Sequence, residues 1–311
     1  MRRSFVNADF DRMAELWNEV YPAAYAITPE LLRAKTVDCP RFDWGASSMV
    51  YRDAQVIAFM AIKKSAAPLY RVSDADQYHL HSLAYREPSA AGELLADARR
   101  MLRDRGGSRL VFGQDAAHLF PGCPTDCAKL REFLEIEGFI AGTEVVDLER
   151  DLADFRLTAE FAPGDIGRPL VAADAPELDE FLAREFPGRW HYDVQRTFES
   201  EGPDYVYGLF AGTRLIGFAV IQDSRVRVPM GGAVWHVALG PNWGSLGPIG
   251  VARDARGHGR GLTLLTAALG ELRQRGARQT IIDWTTLVEF YGKVGFSVTR
   301  RYVPMTLGLS G

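Results

Sequence analysis

Ser245-Leu246-Gly247-Pro248-Ile249-Gly250-Val251-Ala252-Arg253-Asp254-Ala255-Arg256-Gly257-His258-Gly259-Arg260-Gly261-Leu262 decides how the rest of this chain is read. The apolar run ending Ile249-Gly250-Val251 predicts the end of a strand. A basic, glycine-rich turn follows from Arg253 to Gly261. Leu262, Leu265, Leu269 and Leu272 then lie on one face of an amphipathic helix. Strand, glycine turn and helix in that order make an anion site. The first N–H groups of a helix have no partner inside it and carry the positive end of its dipole. Glycines let that backbone approach a phosphate closely, and neighbouring arginines add charge.

Outward from this stretch, the chain has 311 residues, with 36 Lys and Arg against 40 Asp and Glu, a net charge of -4. That length favours two domains, expected at 1–155 and 156–311. A slightly acidic chain gives no reason to expect nucleic acid, so the basic turn is a local device. No basic segment leads into an apolar one near residue 1, and no run is long enough to span a membrane. Three cysteines do not make a disulfide framework. A cytoplasmic protein with neither nucleic-acid nor membrane partners is expected. Its oligomeric state is left open, a homodimer included.

The architecture shows in a repeat. Leu130-Arg131-Glu132-Phe133-Leu134-Glu135-Ile136-Glu137-Gly138-Phe139 matches Leu287-Val288-Glu289-Phe290-Tyr291-Gly292-Lys293-Val294-Gly295-Phe296 at half its positions. Val56 to Ile62 (VIAFMAI) matches Leu215 to Ile221 (LIGFAVI), and Leu102 to Gly106 (LRDRG) matches Leu272 to Gly276 (LRQRG). Three matches in one order argue for a duplicated unit of about 150 residues. In the first copy, helices are expected over 9–21, 94–105 and 129–137, a hairpin over 48–63, and strands over 78–85 and 109–112. In the second, helices are expected over 175–186 (with Asp174 as N-cap), 262–275 and 286–294. Its expected strands are 205–210, 215–222, 231–239, 245–251, 280–284 and 297–309. Arg150 to Pro169 is charged, shows no sustained period and reads as the connection between the copies. Each half is then an α/β (α+β) unit with a mixed, mostly antiparallel sheet flanked by helices.

Three phosphate motifs compete for the glycine turn. No lysine follows the glycines, so it is not a P-loop. Gly257, Gly259 and Gly261 are spaced GxGxG, which is not the dinucleotide fingerprint. The third pattern, [QR]-x-x-G-x-[GA] between strand and helix, fits Arg256 to Gly261 at each fixed position. With Tyr291 and the later Gly295-Phe296, the second half resembles the GNAT superfamily of N-acetyltransferases, and the first half does so more weakly. The tandem arrangement is similar in outline to that of the mycothiol synthases.

The resemblance implies acetyl-coenzyme A as co-substrate, with no metal. It implies that the amides of Arg256, Gly257, His258, Gly259, Arg260, Gly261 and Leu262 take the pyrophosphate, and that Ile249, Gly250 and Val251 pair with the pantetheine arm. Tyr291 becomes the general acid toward the thiolate, a task that suits a phenol with an ordinary pKa near ~10. The base is open between Asp283 and His236. Where many members carry an asparagine seven positions before the tyrosine, this chain has Trp284. The expected reaction is acetylation of a primary amine on a small molecule or peptide, by direct attack in a ternary complex. A non-catalytic acyl-coenzyme A sensor is the alternative.

The first copy has Tyr85-Arg86-Glu87-Pro88-Ser89-Ala90-Ala91-Gly92 at the turn and Leu134 in place of Tyr291, so it reads as degenerate. His118, Cys123 and Cys127 form an incomplete zinc set. Trp190-His191-Tyr192 reads equally as substrate rim or as core.

Overall fold

The computed structural model describes residues 1–65, 76–156 and 158–309. The chain divides into two compact units, Met1–Val146 with Arg300–Gly311, and Asp147–Thr299. Asp147 to Phe155 therefore go with the second unit and the last twelve residues with the first, against an expected boundary after residue 155. Among the described residues no helix is long and apolar enough to cross a membrane.

The first unit carries strands β1 (Arg2–Arg3), β2 (Ser48–Arg52), β3 (Gln55–Lys64), β4 (Gln77–Tyr85), β5 (Arg109–Phe112), β6 (Cys123–Pro124) and β7 (Ile140–Ala141). Its helices are α1 (Phe10–Val20), α2 (Pro29–Lys35), α3 (Pro88–Asp104) and α4 (Ala128–Ile136). Asp9 caps α1 by accepting the Arg12 amide, and Met13, Leu16 and Trp17 are buried at the helical spacing read from the sequence. Residues 56–63 of β3 are all buried, as suits a central strand covered on both faces.

β8 (Val145–Asp151) leads into the second unit, with β9 (Asp165–Pro169), β10 (Val206–Ala211), β11 (Arg214–Asp223), β12 (Trp243–Val251), β13 (Gln279–Thr285) and β14 (Ser297–Val303). Its helices are α5 (Ala175–Glu185), α6 (Arg189–Ser200), α7 (His236–Leu239), α8 (Arg260–Gln274) and α9 (Val288–Gly292). β15 (Met305–Gly308) follows. The strand orders are β1-β2-β3-β4-β5-β15-β7 and β6-β14-β8-β13-β12-β11-β10-β9. Most pairs are antiparallel; β4 with β5 and β12 with β13 are parallel. Leu264, Leu265, Ala268, Leu269 and Leu272 of α8 are buried, each leucine contributing about 1.5–3 kcal/mol.

The duplication is visible in the hydrogen bonds. Gly106 and Gly276 both have left-handed backbones, with φ of 77° and 95°. The residue after each donates to the carbonyl five residues back, Gly107 to Leu102 at 2.9 Å and Ala277 to Leu272 at 3.0 Å. Gly138 and Gly295 likewise have φ of 91° and 84°.

Three sequence expectations are corrected. Gly231 to Leu239 is not a strand but a 3-10 turn (Gly231–Trp235) running into α7. Gly231 has φ of 56°, and Gly232 through Trp235 are buried consecutively, so the apolar run has no period of two. A side chain on Gly232 would meet Ile281 of β13 at 2.8 Å, so the glycine allows the turn to lie on the sheet. The 150–169 connection contains the end of β8 and all of β9, both short and too polar to show an apolar period; Leu157 within it lies outside the described residues. Asp174 sits at the N-cap of α5, but its carboxylate accepts from the Val171 amide and pairs with Arg168, leaving α5 without a side-chain cap.

Candidate active site

β11 and β12 run antiparallel to Gly217↔Val251. β12 and β13 are paired at Trp243↔Gln279, Gly244↔Thr280 and Ser245↔Ile281, and beyond Ser245 they part. Between Leu246 and Ile249 the register shifts, one residue of β11 (Val220) facing two of β12 (Gly247 and Pro248), a bulge that bends the strand where the gap opens. Residues 247–250 are half exposed there, and among the described residues the edge of β12 facing β13 is unpaired beyond Ser245.

Just past Val251, the Ala252 amide donates to Ile216 at 2.8 Å. A 3-10 turn (Arg253–Ala255) follows, and the Arg256 Nε returns to the Val251 carbonyl at 2.9 Å. Gly257 and Gly259 have φ of 87° and 76°, the left-handed region that side chains avoid. α8 begins at Arg260, and the amides of Leu262 and Thr263 both go to the Gly259 carbonyl. Among the described residues no carbonyl takes the amides of Gly257, His258, Gly259, Arg260 or Gly261. Five successive donors therefore lie together at an exposed helix N-terminus. Gly250 cannot carry a side chain, because a Cβ would lie 2.5 Å from the Phe186 ring, which stacks on Trp190.

Arg260 behaves differently from its neighbours. Its Nε and Nη2 are bound by Asp165, at 2.7 and 3.0 Å.

In the gap between β12 and β13 stand Asp283, Trp284 and Thr285. Asp283 Oδ1 is 3.0 Å and 3.5 Å from where side chains on Gly231 and Gly247 would begin, so two glycines fence the carboxylate. Tyr291 on α9 is buried. Burial pushes its phenol up to about 12, the Asp283 charge adds to this, and a hydrogen bond with Thr285 opposes it. Trp284 has φ of 45°, rare for a large residue. Its amide donates to buried Asp147 at 3.1 Å, and its ring lies 4.1 Å from the Arg189 guanidinium. The site thus brings Tyr291 to Asp283. His236 sits elsewhere, with Nδ1 3.2 Å from the Ala233 carbonyl and its ring 5.9 Å from Trp243. That is the closed end of the β12–β13 pair, ~13 Å of strand from Gly247 at ~3.3 Å per residue.

Sequence reasoning missed Asp147, Asp165, Phe186, Arg189 and Thr285. All but Thr285, which lies six residues before Tyr291, act across a distance in sequence that no spacing pattern signals. His191, one of the rim candidates, is buried and bonded to Asp179 at 2.7 Å, while Trp190 and Tyr192 are half-buried.

The first unit shows what stands at the equivalent place. Ala58↔Tyr85 matches Gly217↔Val251, and Ile62↔Leu80 matches Ile221↔Leu246, so His81-Ser82 takes the position of Gly247-Pro248. Gln77↔Arg109 matches Trp243↔Gln279, so Asp115 takes that of Thr285. Here Asp115 binds Lys63 at 2.8 Å and the His81 Nδ1 at 3.0 Å, all three side chains buried. The gap is filled by a charged network. The glycine loop is missing too: the Arg86 amide binds Ile57 as Ala252 binds Ile216, but α3 starts two residues later, α8 eight. Of His118, Cys123 and Cys127, the set read as incomplete for zinc, Cys123 is buried, its thiol pushed up to about 12 by burial. Among the described residues no three His, Cys, Asp or Glu are grouped to hold a metal.

A mixed sheet whose parallel strands part ahead of an amide-lined turn defines the class, the GNAT fold. Residues 175–296 match the model of the acetyltransferase (GNAT) family, and the chain carries a GNAT-family acetyltransferase domain. Over 180 residues it is 28% identical to the mycothiol acetyltransferase of Rhodococcus jostii (strain RHA1), covering 51% of this chain and 54% of that one. The match thus spans about half the length of that relative. Among solved structures, a GCN5-related glucosamine N-acetyltransferase region of a fungal multi-domain GH3 beta-N-acetylglucosaminidase superposes with a TM-score of 0.85 at 19% identity, over 99% of this chain and 38% of that one. A tandem GNAT protein from the clavulanic acid biosynthesis pathway does so with a TM-score of 0.70 at 15% identity, over 100% and 99%. Both likenesses show the fold over the whole chain.

Proposed function

We propose that the second unit binds acetyl-coenzyme A and transfers its acetyl group to a primary amine of a small molecule in the cytoplasm. The observation that carries this reading is the run of five unpaired amides from Gly257 to Gly261, at the end of a strand whose free edge leads to Tyr291 and Asp283. The amides and the terminal nitrogens of Arg256 take the pyrophosphate. The free edge at Ile249 to Val251 pairs with the pantetheine arm, and its amides polarise the carbonyl as charge develops on oxygen.

The neutral amine attacks the thioester carbon, a C–N bond forms, and the C–S bond breaks. Tyr291 gives its proton to the departing thiolate, and the proton lost by the acylated nitrogen returns to the phenolate, so the step balances. A phenol near 12 is a weak acid toward a thiolate of ordinary pKa ~8.5. A thiolate expelled beside the buried phenol is raised by the same loss of solvent, which narrows the difference. Asp283, beside Tyr291, takes the ammonium proton; His236, at the closed end of the strand pair, is placed less well for this.

Thiol release is the measurement that tests this reading. The full chain is mixed with acetyl-coenzyme A and a panel containing an amino sugar, an aminoglycoside, an amino-acid derivative and a peptide N-terminus. Saturable release with at least one amine is expected. Acetyl-coenzyme A binding without release from a broad panel would instead indicate a sensor, and absence of binding would remove the reading altogether.

A further inference from the structure

Arg260 stands at the first position of α8, in the middle of the amide-lined turn, yet its guanidinium is already taken. Asp165 holds it in two prongs, Oδ2 to Nε at 2.7 Å and Oδ1 to Nη2 at 3.0 Å. The Asp165 side chain is only 3% exposed, that of Arg260 24%. Asp165 opens the edge strand β9, whose register places it opposite Ala211. The segment just before it reaches the helix a second time, through Thr263 Oγ1 to the Glu160 carbonyl at 2.8 Å. On the other side of the turn, Arg256 is tied to Val251. The turn is thus pinned at three places, none of which uses the five unpaired amides.

Simple electrostatics would not put a carboxylate here. It cancels one of the positive charges that would draw in a pyrophosphate. What a two-pronged pair on a buried carboxylate supplies instead is fixed geometry, since a guanidinium and a carboxylate meet in one plane. Loops through Gly257 and Gly259 are otherwise the most freely moving backbone available. A site made of amides gains affinity when those amides already point in one direction.

We propose that Asp165 is a positioning residue of the acyl-carrier site. By holding Arg260 it fixes the first turn of α8 and aims the amides of Gly257 to Gly261, and the Arg260 guanidinium is not itself a phosphate ligand. This rests on the proposed acetyl-coenzyme A site. The sign of one substitution separates the two roles of Arg260. If Arg260 were a phosphate ligand restrained by Asp165, Asp165→Asn would release it and tighten binding. If the pair positions the turn, the same change weakens binding.

The test is calorimetric titration of acetyl-coenzyme A into the full chain and its variants, with amide hydrogen exchange read over 257–261. Asp165→Asn and Arg260→Gln should each raise Kd about ten-fold, and the double variant should be no worse than either. Arg260→Lys, which keeps an ionic contact, should recover most of the loss. KM for acetyl-coenzyme A should rise with kcat nearly held. Without ligand, exchange at Gly257 to Gly261 should quicken in Asp165→Asn. An unchanged or lowered Kd in that variant overturns the proposal, as does a double variant that sums the two losses. Should Asp165→Asn not fold, Arg260→Gln and Arg260→Lys decide by the same Kd and exchange readings. A wild-type chain that binds no acetyl-coenzyme A defeats the functional reading, while exchange still tests the positioning role.

Discussion

The surroundings of Tyr291 bear directly on the acid role proposed for it. Burial among apolar neighbours and the nearby Asp283 charge both disfavour the phenolate. A group whose pKa is raised to about 12 stays protonated at every working pH, so its acid form is always present. Tyr291→Phe keeps the ring and removes the proton. Turnover should fall about 100-fold or more, as expected for loss of a general acid, with acetyl-coenzyme A affinity within about two-fold. Stopped-flow thiol release and titration together check this. The pH profile gives a second reading: no alkaline fall in kcat belonging to Tyr291 should appear near ~10, the ordinary value. A limb there would show that the phenol is not held as described. Tyr291 and the glycines could be singled out in the sequence because they lie at a fixed local spacing. Asp165 and Asp147 could not, since each meets its partner from another strand, far away along the chain.

At the scale of elements, the parting of β12 and β13 and the glycine turn make one device. The two kinds of glycine in and beside α8 separate its requirements. Gly259 sits at the N-cap with φ of 76°, whereas Gly270 lies inside the helix with nothing within 4 Å of a built Cβ. Gly259→Ala forces a side chain into the left-handed region at about 1–2 kcal/mol and distorts the amide row. Both stability and acetyl-coenzyme A affinity should fall. Gly270→Ala should raise stability by about 0.5–1 kcal/mol through helix propensity and leave affinity alone. Urea unfolding paired with titration distinguishes them, and equal effects from the two would contradict the assigned geometry. The helix was readable from leucine spacing. The segment 231–239 was not, because Val234, Trp235 and Leu239 mimic a strand while the cause of the turn, Gly232 lying over Ile281, is a tertiary contact. β8 and β9 were hidden for the opposite reason: what places them is pairing with neighbouring strands, and their own side chains are largely polar.

For the whole molecule, duplication set up two equivalent sheets, and only one kept a gap between its parallel strands. Where the second unit has Gly247 and Thr285, the first has His81 and Asp115 joined to Lys63. A filled gap and a missing glycine loop together predict one acetyl-coenzyme A per chain at saturation, which titration measures directly; two would show that the first unit still binds. The network also makes stability depend on acid. His81 is fully buried, and burial first, then the Lys63 charge, push its pKa down to about 4 against the pull of Asp115, with Lys35 adding to the lowering. Asp115 is held well below the usual carboxylate range by Lys63 and His81, so it does not titrate in the same window. The unfolded chain takes a proton on this imidazole near 6.5, the folded chain only near about 4. The unfolded state therefore binds more protons between those values, and folding stability falls as pH drops through them. The loss approaches about 3 kcal/mol and is fully avoided above the unfolded value. His81→Gln cannot titrate, so its stability deficit relative to the native chain should shrink by about that amount between about pH 7.5 and about pH 4. Carboxylates elsewhere change both proteins alike and cancel in the difference. A deficit that stays constant across that range would mean that His81 is not held neutral by its surroundings.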